Sequence, residues 1–388
     1  MEIIHRFFND PETSFFLFGP RGTGKSTWLK TRFSADVLYI DLLRAKSFRI
    51  YSARPEQLEE LVSGNPDKQT IIIDEIQKVP SLLDVVHHII ESKQDYRFIL
   101  TGSSSRKLKR TGVDLLAGRA IQKSFHPFMA SELQASFDFL KAMKYGMIPL
   151  IYQSKNPKAT LDTYISLYVN EEVKMEGLVR KIGDFSRFLE VVSFSNGSVI
   201  NVSEIARDSQ AGRKAVESYI SVIEDLLLSV QIPVFSKMAK RLLIAHPKFY
   251  FFDVGVFRAL RPTGPLDRPQ EIEGIALETL ILQQLRAWAD LSEFEVKIYY
   301  WRTRSGVEVD FVLYGPDHFY AIEVKNTENI RNKDIKGLKT FLTDYPQAKA
   351  FLLYRGDEKL RKADVLCLPV NDFLSELYPN RLLPGDEK

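Results

Sequence analysis

The chain has 388 residues, 45% of them hydrophobic and 27% charged, a balance typical of globular domains with buried cores. The formal net charge of +3 is too small to indicate nucleic-acid binding without local basic patches, and the single Cys367 excludes an internal disulfide and a cysteine-based zinc cluster. The sequence shows neither a signal-peptide pattern nor an apolar run of about 18 residues, so we expect a cytoplasmic protein of two or three domains with no membrane partner.

The first predicted elements are an apolar strand, a glycine-rich loop and a helix, in the segment SFFLFGPRGTGKSTWLK. The spacing from Gly19 to Ser26 is a complete P-loop, in which backbone N–H groups and a helix N-terminus cradle phosphates. We expect Lys25 to reach the β- and γ-phosphates of ATP and Ser26 to ligate Mg²⁺. The predicted nucleotide-binding residues of the loop are Gly19, Pro20, Arg21, Gly22, Thr23, Gly24, Lys25, Ser26 and Thr27.

Two later apolar strands end in polar residues that suit the same site. The run TIIIDEIQKVP places Asp74 where it could hold Mg²⁺ through water, and Glu75 where it could act as the catalytic base. The run YRFILTGSSS ends in hydroxyls, so Thr101 or Ser103 could sense the γ-phosphate. The structural alternatives are an exposed acidic turn for the acids and ordinary turn chemistry for the hydroxyls.

Strands and helices alternate through this region, which predicts a parallel sheet with helices on both faces, closed by the strand in AIQKSFHPF. Arg119, in LLAGRA, precedes this strand and is either an arginine finger for a neighbouring subunit or a surface arginine. The basic cluster RKLKR at 106–110 is either a phosphate-tracking loop or a solvated one.

The order GPRGTGKST, IIIDEIQ, ILTGSSS and LAGRA resembles the AAA+ ATPases, and most of all a prokaryotic group whose ATPase is fused to a carboxy-terminal domain of unknown function. The resemblance extends over nearly the whole chain. We expect ATP and Mg²⁺ as cofactors and a homo-oligomeric assembly. We expect an ATPase core at 1–130, a helical lid or connector at 131–195, a winged helix at 196–262 and a nuclease-like domain at 263–388.

The middle of the chain has a helix-turn-helix outline in SVINVSEIARDSQAGRKAVESYISVIEDLLL, with Ser203 as the expected cap of the first helix. Two extended runs around a basic stretch follow, which favours a winged helix. The candidate DNA contacts lie at the start of the recognition helix and on the wing: Arg213, Lys214, Lys237, Lys240 and Arg241. The alternative is a module that binds only protein or a neighbouring domain.

The last third carries acids inside apolar elements: Glu278 in a predicted helix, Asp310 in a strand, and Glu323 with Lys325 in the strand AIEVK. This order resembles the PD-(D/E)xK nuclease fold, although Val309 stands where the motif has its proline. The resemblance implies a restriction-endonuclease-like α/β domain in which Asp310 and Glu323 bind Mg²⁺, Lys325 stabilises the phosphate or positions the attacking water, and Glu278 adds a metal contact or second-sphere support. The alternative is a structural ion pair between Glu323 and Lys325.

These features favour an ATP-driven enzyme that binds DNA and cuts it in a Mg²⁺-dependent manner, in repair, defence or mobile-element processing. A second hypothesis is an ATP-switched regulator or assembly factor whose nuclease-like domain binds DNA or a protein without cutting. A third is a motor whose nuclease fold binds branched DNA without cleaving it.

Overall fold

The computed structural model describes residues 3–33, 36–92, 95–103, 115–169, 182–237 and 246–386. The candidate DNA contacts Lys240 and Arg241 and the basic cluster at 106–110 lie outside these ranges. The chain divides into two compact units. We call Phe8–His126 with Val222–Leu227 the P-loop unit, and Met1–Phe7, Pro127–Ser221 and Leu228–Lys388 the large unit.

The P-loop unit is built on a five-stranded parallel sheet in the order β2-β3-β4-β1-β5. Its strands are β1 (Phe15–Phe18), β2 (Val37–Asp41), β3 (Thr70–Asp74), β4 (Arg97–Gly102) and β5 (Ile121–Ser124), and its helices are α1 (Lys25–Arg32), α2 (Ala45–Ala53), α3 (Gln57–Ser63) and α4 (Leu82–Glu91). The predicted parallel α/β sheet is therefore confirmed.

Apolar residues on the two faces of each central strand explain this architecture, because a parallel sheet covered by helices is buried on both sides. Phe15 to Phe18 are all buried, and so are Ile71, Ile72 and Ile73 of β3. Leu58, Leu82 and Val86 bring α3 and α4 into the same core. The sheet brings the carboxyl ends of β1, β3 and β4 to one edge, where the P-loop begins.

The large unit starts with short helices and then a small antiparallel sheet. The helices are α5 (Ala130–Leu133), α6 (Phe139–Tyr145), α7 (Pro149–Tyr152), α8 (Pro157–Thr163), a π-helical turn (Tyr164–Val169) and α9 (Ile182–Ser193). Next come β6 (Ser198–Val199), α10 (Val202–Asp208), α11 (Arg213–Asp225), β7 (Ser229–Ile232), β8 (Lys248–Phe251) and α12 (Val254–Leu260), with the strands paired in the order β6-β8-β7.

Helix caps in this region follow local side-chain chemistry. The carboxamide of Asn201 accepts from the backbone N–H of Glu204 at 3.3 Å, so Asn201 rather than the expected Ser203 caps α10. Asp253 is fully buried and caps α12 by accepting from the backbone N–H groups of Gly255 and Val256. It also accepts from Met147 N at 2.8 Å, which ties α12 to the segment between α6 and α7.

The carboxy-terminal part of the large unit is a six-stranded mixed sheet in the order β13-β14-β12-β11-β10-β9. The long helix α13 (Pro269–Leu291) leads into β9 (Lys297–Arg302), β10 (Glu308–Tyr314), β11 (Phe319–Lys325), α14 (Lys336–Asp344), β12 (Lys349–Tyr354), β13 (Leu360–Lys362), β14 (Val365–Pro369) and α15 (Val370–Glu376). Within the described ranges, no helix combines the length and apolar character needed to cross a bilayer.

Residues 233–235, which follow β7, lie along the outer edge of this sheet. Phe235 N donates to the carbonyl of Tyr300 at 2.7 Å, and Tyr300 N donates to the carbonyl of Pro233 at 3.0 Å. The ring of Phe235 is buried, with its centroid 5.2 Å from that of Tyr314 and 5.3 Å from that of Tyr345. A side chain from the middle of the sequence thus fills the core of the carboxy-terminal sheet.

Candidate functional site

The P-loop connects β1 to α1 and adopts a conformation that needs its glycines. Gly22 and Gly24 have φ values of 79° and 93°, in the left-handed region that favours glycine. The buried ammonium of Lys25 donates to the carbonyls of Gly19 at 2.6 Å and Pro20 at 3.1 Å. A buried lysine at the start of a helix, held by loop carbonyls, is suited to exchange these partners for the oxygens of a bound phosphate.

Asp74 is buried at the end of β3 and is held from two sides. The Tyr39 hydroxyl on β2 donates to its Oδ2 at 2.6 Å, and the Thr101 hydroxyl on β4 donates to its Oδ1. Burial raises the pKa of Tyr39, and the hydrogen bond to Asp74 raises it further, while a hydrogen bond with Ser26 acts in the opposite direction. Tyr39 therefore touches both Asp74 and Ser26, the two residues predicted to hold Mg²⁺.

Glu75 has a φ of 64°, an unusual backbone conformation for a residue with a side chain. Its N–H donates to Thr101 Oγ1 at 3.1 Å, and its Oε2 accepts from Gln77 Nε2 at 2.5 Å. The same Gln77 nitrogen lies 3.0 Å from Ser103 Oγ. Glu75, the predicted catalytic base, and the two predicted phosphate sensors thus belong to one hydrogen-bonded group at the carboxyl ends of β3 and β4.

Arg119 belongs to the same unit but has a partner of its own. Its guanidinium donates to Glu91 Oε1 on α4 at 2.7 Å, and 39% of its side chain is exposed. This geometry leaves the arginine close to the surface, so its action on a neighbouring subunit stays a prediction.

The second set of predicted site residues lies on β10 and β11 of the large unit. The antiparallel register pairs Phe311 with Ile322, and one more residue along each strand sets Asp310 opposite Glu323. The pairing of β10 with β9 shifts between Val309 and Val312, so Asp310 lies in a bulged stretch of the strand. Asp310 and Glu323 are both buried, which is unusual for carboxylates on adjacent strands.

The two oxygens of Glu323 have different surroundings. Oε1 accepts from the ammonium of Lys325 at 2.5 Å, whereas Oε2 is buried and has no hydrogen-bond partner in the part of the chain that the structure describes. Burial raises the pKa of Glu323 well above its ordinary value, and the nearby Asp310 raises it further. Asp310 Oδ2 accepts from Val324 N at 2.8 Å, which fixes its orientation toward β11. An unpaired carboxylate oxygen among other carboxylates is a position that a cation would stabilise.

Glu278 on α13 reaches the same cluster but is already paired. Its Oε1 accepts from the Tyr250 hydroxyl and lies 3.4 Å from Lys248 Nζ. Lys248 also forms an ion pair with Glu308 on β10. Burial raises the pKa of Glu278 to about 7, with Lys248 opposing and Asp310 adding to the shift. Across the described ranges, no three His, Cys, Asp or Glu side chains converge in a geometry that would hold a metal ion.

The structure brings Glu278, Asp310, Glu323 and Lys325 close enough to interact electrostatically, and their role as a metal site stays a prediction. Sequence reasoning missed Lys248, Tyr250 and Glu308. The signal was present, because Lys248 stands in the apolar strand KFYF just as Glu323 stands in its own.

The three candidate DNA contacts that the structure describes, Arg213, Lys214 and Lys237, are exposed residues of the large unit. Arg213 begins α11, is largely exposed and pairs with Glu217 at 3.2 Å, and Lys214 beside it is exposed. Lys237 lies over the ring of Tyr314, with Nζ 4.4 Å from the centroid. The tertiary contact thus places Lys237 against the carboxy-terminal sheet.

Comparison with curated proteins finds similarity to uncharacterized proteins of Mycobacterium bovis and Mycobacterium tuberculosis, each 23% identical over 321 residues, which cover 81% of this chain and 71% of the relative. Among solved structures, the replication initiator DnaA bound to AMPPCP and single-stranded DNA aligns with 56% of this chain and 83% of its own, at 14% identity and a TM-score of 0.26. A Vibrio cholerae protein aligns with 93% of this chain and 95% of its own, at 11% identity and a TM-score of 0.20.

Three family models match successive parts of the chain. Residues 12–134 match an AAA domain, residues 136–267 match a domain of unknown function (DUF8612), and residues 273–373 match a second domain of unknown function (DUF4143). The AAA match covers the P-loop, Asp74 and Glu75, whose geometry suits a nucleotide. The chain therefore carries an AAA domain, a nucleotide-binding module, joined to a carboxy-terminal DUF4143 domain.

Proposed function

We propose that this protein is an ATP-hydrolysing enzyme that acts on DNA, and that its carboxy-terminal domain cuts DNA with the help of a divalent cation. Two separate acidic sites in one chain support the proposal. The first is the hydrogen-bonded group around Asp74 and Glu75 beside the P-loop. The second is the pair of buried carboxylates, Asp310 and Glu323, with Lys325.

In the first site, each residue has a place that fits hydrolysis of the γ-phosphate. Lys25 leaves the loop carbonyls and neutralises the β- and γ-phosphate oxygens. Ser26 and Asp74, both in contact with Tyr39, would hold Mg²⁺, which would supply positive charge to offset the charge that develops on the phosphates. Glu75 orients the attacking water and accepts its proton, and its backbone N–H is held by Thr101.

The experiment on the first site uses two substitutions that separate binding from chemistry. Lys25→Ala should lose nucleotide binding and hydrolysis together, whereas Glu75→Gln should still bind ATP but hydrolyse it about 100-fold more slowly, as expected for loss of general-base catalysis. Lys46→Ala, at an exposed position of α2, is the matched control and should keep the parent rate. A Lys25→Ala chain that hydrolysed ATP at the parent rate would remove this site from the proposal.

In the second site, the unpaired Oε2 of Glu323 carries the proposal. It lies in a cluster that includes Asp310, and two carboxylates on neighbouring strands form the oxygen set that a hard divalent cation takes. A bound cation would polarise the scissile phosphate and lower the pKa of the attacking water. Lys325, already held beside Glu323, would stabilise the charge that develops on the phosphate.

The order of elements from α9 to β8 supports DNA docking. The helix α9, the short strand β6, the helices α10 and α11, and the strands β7 and β8 follow in this order, and β8 lies between β6 and β7 in the sheet. This order resembles that of a winged helix, with α11 in the position of the recognition helix. Arg213 and Lys214 start this helix and are exposed, so they can reach phosphates or base edges.

A cleavage panel tests the second activity. Supercoiled, linear duplex, forked and four-way DNA are incubated with Mg²⁺ or Mn²⁺, with and without ATP. Asp310→Asn and Glu323→Gln should abolish cleavage, whereas Asp357→Asn, at an exposed acid after β12, should cut like the parent. The proposal fails if the parent cuts none of these substrates, or if Asp310→Asn cuts as fast as the parent.

A second candidate function is an ATP-switched regulator whose carboxy-terminal domain binds a partner without cutting. The direct ion pair between Glu323 and Lys325 favours it, because this pair satisfies one carboxylate oxygen without a metal ion. This candidate predicts that Glu323→Gln keeps all function in the cell while the panel shows binding but no cleavage. Binding that is strongest on forked or four-way DNA would instead favour a motor that holds branched DNA.

A further inference from the structure

Lys248 is the most deeply buried charged group of the carboxylate cluster. Only 3% of its side chain is exposed, and it lies between Glu278, 3.4 Å from its Nζ, and Glu308, with which it forms a closer ion pair. Nζ also lies 5.4 Å from the ring centroid of Tyr300. A buried ammonium is costly unless its partners surround it, so these contacts specify its position closely.

The strand that delivers Lys248 belongs to the middle of the chain. Lys248 and Tyr250 are two residues apart on β8, so their side chains share one face of the strand, and both contact Glu278 Oε1. Both residues fall within 136–267, the DUF8612 match, whereas Glu278 and Glu308 fall within 273–373, the DUF4143 match. The cluster is therefore assembled from both of these domains.

The charges of the cluster show what Lys248 does there. Four acids interact electrostatically there: Glu278, Glu308, Asp310 and Glu323. Lys248 forms ion pairs with Glu278 and Glu308. Glu323 keeps one buried oxygen, Oε2, that has no hydrogen-bond partner among the residues that the structure describes.

Four carboxylates, three on the sheet and one on α13, are enough acids to hold two divalent cations, and two-metal sites in phosphoryl-transfer enzymes have the ions about 3.5–4 Å apart. The ammonium of Lys248 places a positive charge, covalently part of the protein, against two of these four acids. Lys248 does more than pair with Glu308, because Lys248 and Tyr250 both contact Oε1 of Glu278 and so tie this second acid to β8.

We propose that the ammonium of Lys248 occupies the position of a second divalent cation, so that the carboxy-terminal site is a composite site that binds a single metal ion at Asp310 and Glu323. This inference rests on the metal site of the proposed function and deepens it. Lys248 is a positioning residue in this arrangement: it holds Glu278 and Glu308 apart from the metal and does not touch the substrate.

The test counts the Mn²⁺ ions bound to the full, nucleotide-free chain. Electron paramagnetic resonance measures the unbound ion, and the bound number is the added amount less the unbound amount. The count is taken as the difference from an Asp310→Asn chain, so that ions at the P-loop cancel. The wild type should bind one such ion. Lys248→Met should bind two, because Glu278 and Glu308 become free to hold the second, whereas Lys248→Arg keeps the positive charge and should bind one.

A Lys248→Met chain that still binds one ion, while Asp310→Asn loses it, would overturn the inference and leave the proposed metal site intact. A wild-type chain that binds no more Mn²⁺ than Asp310→Asn would instead overturn the metal site of the proposed function. If Lys248→Met is unfolded without metal, recovery of the wild-type melting temperature on addition of Mn²⁺ supports the inference, and failure to recover counts against it.

Discussion

Replacing Thr101 by valine tests how the structure positions Glu75, the proposed catalytic base of the AAA domain. Thr101 is fully buried, and valine has nearly its shape, so the change removes one hydroxyl and little else. This hydroxyl donates to Asp74 Oδ1 and accepts from Glu75 N at 3.1 Å. Loss of a hydrogen bond to a charged group costs about 1.5–3 kcal/mol, and an unpaired buried N–H costs about 1–3 kcal/mol.

The two losses overlap because Asp74 keeps its bond from Tyr39, so we expect the free energy of opening of the P-loop unit to fall by roughly 2–4 kcal/mol. The peptide of Glu75 also loses its anchor, and a shift of about 1 Å in a catalytic group lowers kcat by about 100-fold. The affinity for ATP should change little, because the substitution leaves the P-loop and the bonds of Lys25 to Gly19 and Pro20 in place.

The matched control is Thr101→Ser, which keeps the hydroxyl and loses only one methyl group, at a cost of about 1 kcal/mol. Hydrogen exchange in peptides that cover residues 70–80 measures the opening free energy, and steady-state hydrolysis measures kcat. If Thr101→Val matches Thr101→Ser in both measurements, the Thr101 hydroxyl does not position Asp74 and Glu75, and the reasoning is refuted.

Three further predictions concern other parts of the chain. Burial raises the pKa of Asp253 to about 6 despite three backbone N–H donors, so between about pH 4 and pH 6 the folded state keeps a proton that the unfolded state has released. The free energy of unfolding should therefore fall by up to about 3 kcal/mol as the pH rises through this range. Urea unfolding at several pH values measures this fall, which should vanish in Asp253→Asn. A Cβ on Gly337 would lie 2.1 Å from the carbonyl of Glu308, so Gly337→Ala should cost about 1–3 kcal/mol, whereas Gly274→Ala, in open space, should be neutral or stabilising. Arg119→Ala should lower kcat about 1000-fold if the arginine acts on a neighbouring subunit, and in that case mixing with Glu75→Gln chains should restore hydrolysis.

The sequence predicted the features that depend only on residues close together in the chain. The P-loop could be identified because the glycines, Lys25 and Ser26 are required at fixed spacing. The parallel sheet followed from its apolar strands, and Asp310 and Glu323 stood out as acids in apolar strands. None of these inferences depends on knowing which strands are adjacent.

Features that depend on tertiary contacts were not accessible. Thr101 and Ser103 were predicted to sense phosphate, but which groups their hydroxyls bond depends on the register of β4 beside β3. Glu278 was predicted near the metal, yet its partners Lys248 and Tyr250 come from a strand about 30 residues earlier in the sequence. Lys237 was predicted to lie on the wing, and only the structure shows that it also contacts Tyr314 of the carboxy-terminal sheet.

The packing of Phe235 in the core of the carboxy-terminal sheet limits where the chain can be cut to make expression fragments. A fragment that began at residue 273, where the DUF4143 match starts, would lack Phe235 and leave an aromatic-lined hole beside Tyr314 and Tyr345. It would also expose the edge of β9 that residues 233–235 cover, and an uncovered edge strand invites association with other chains. Expression fragments intended to isolate the carboxy-terminal activity should therefore begin before β7, at the helices that precede the small sheet.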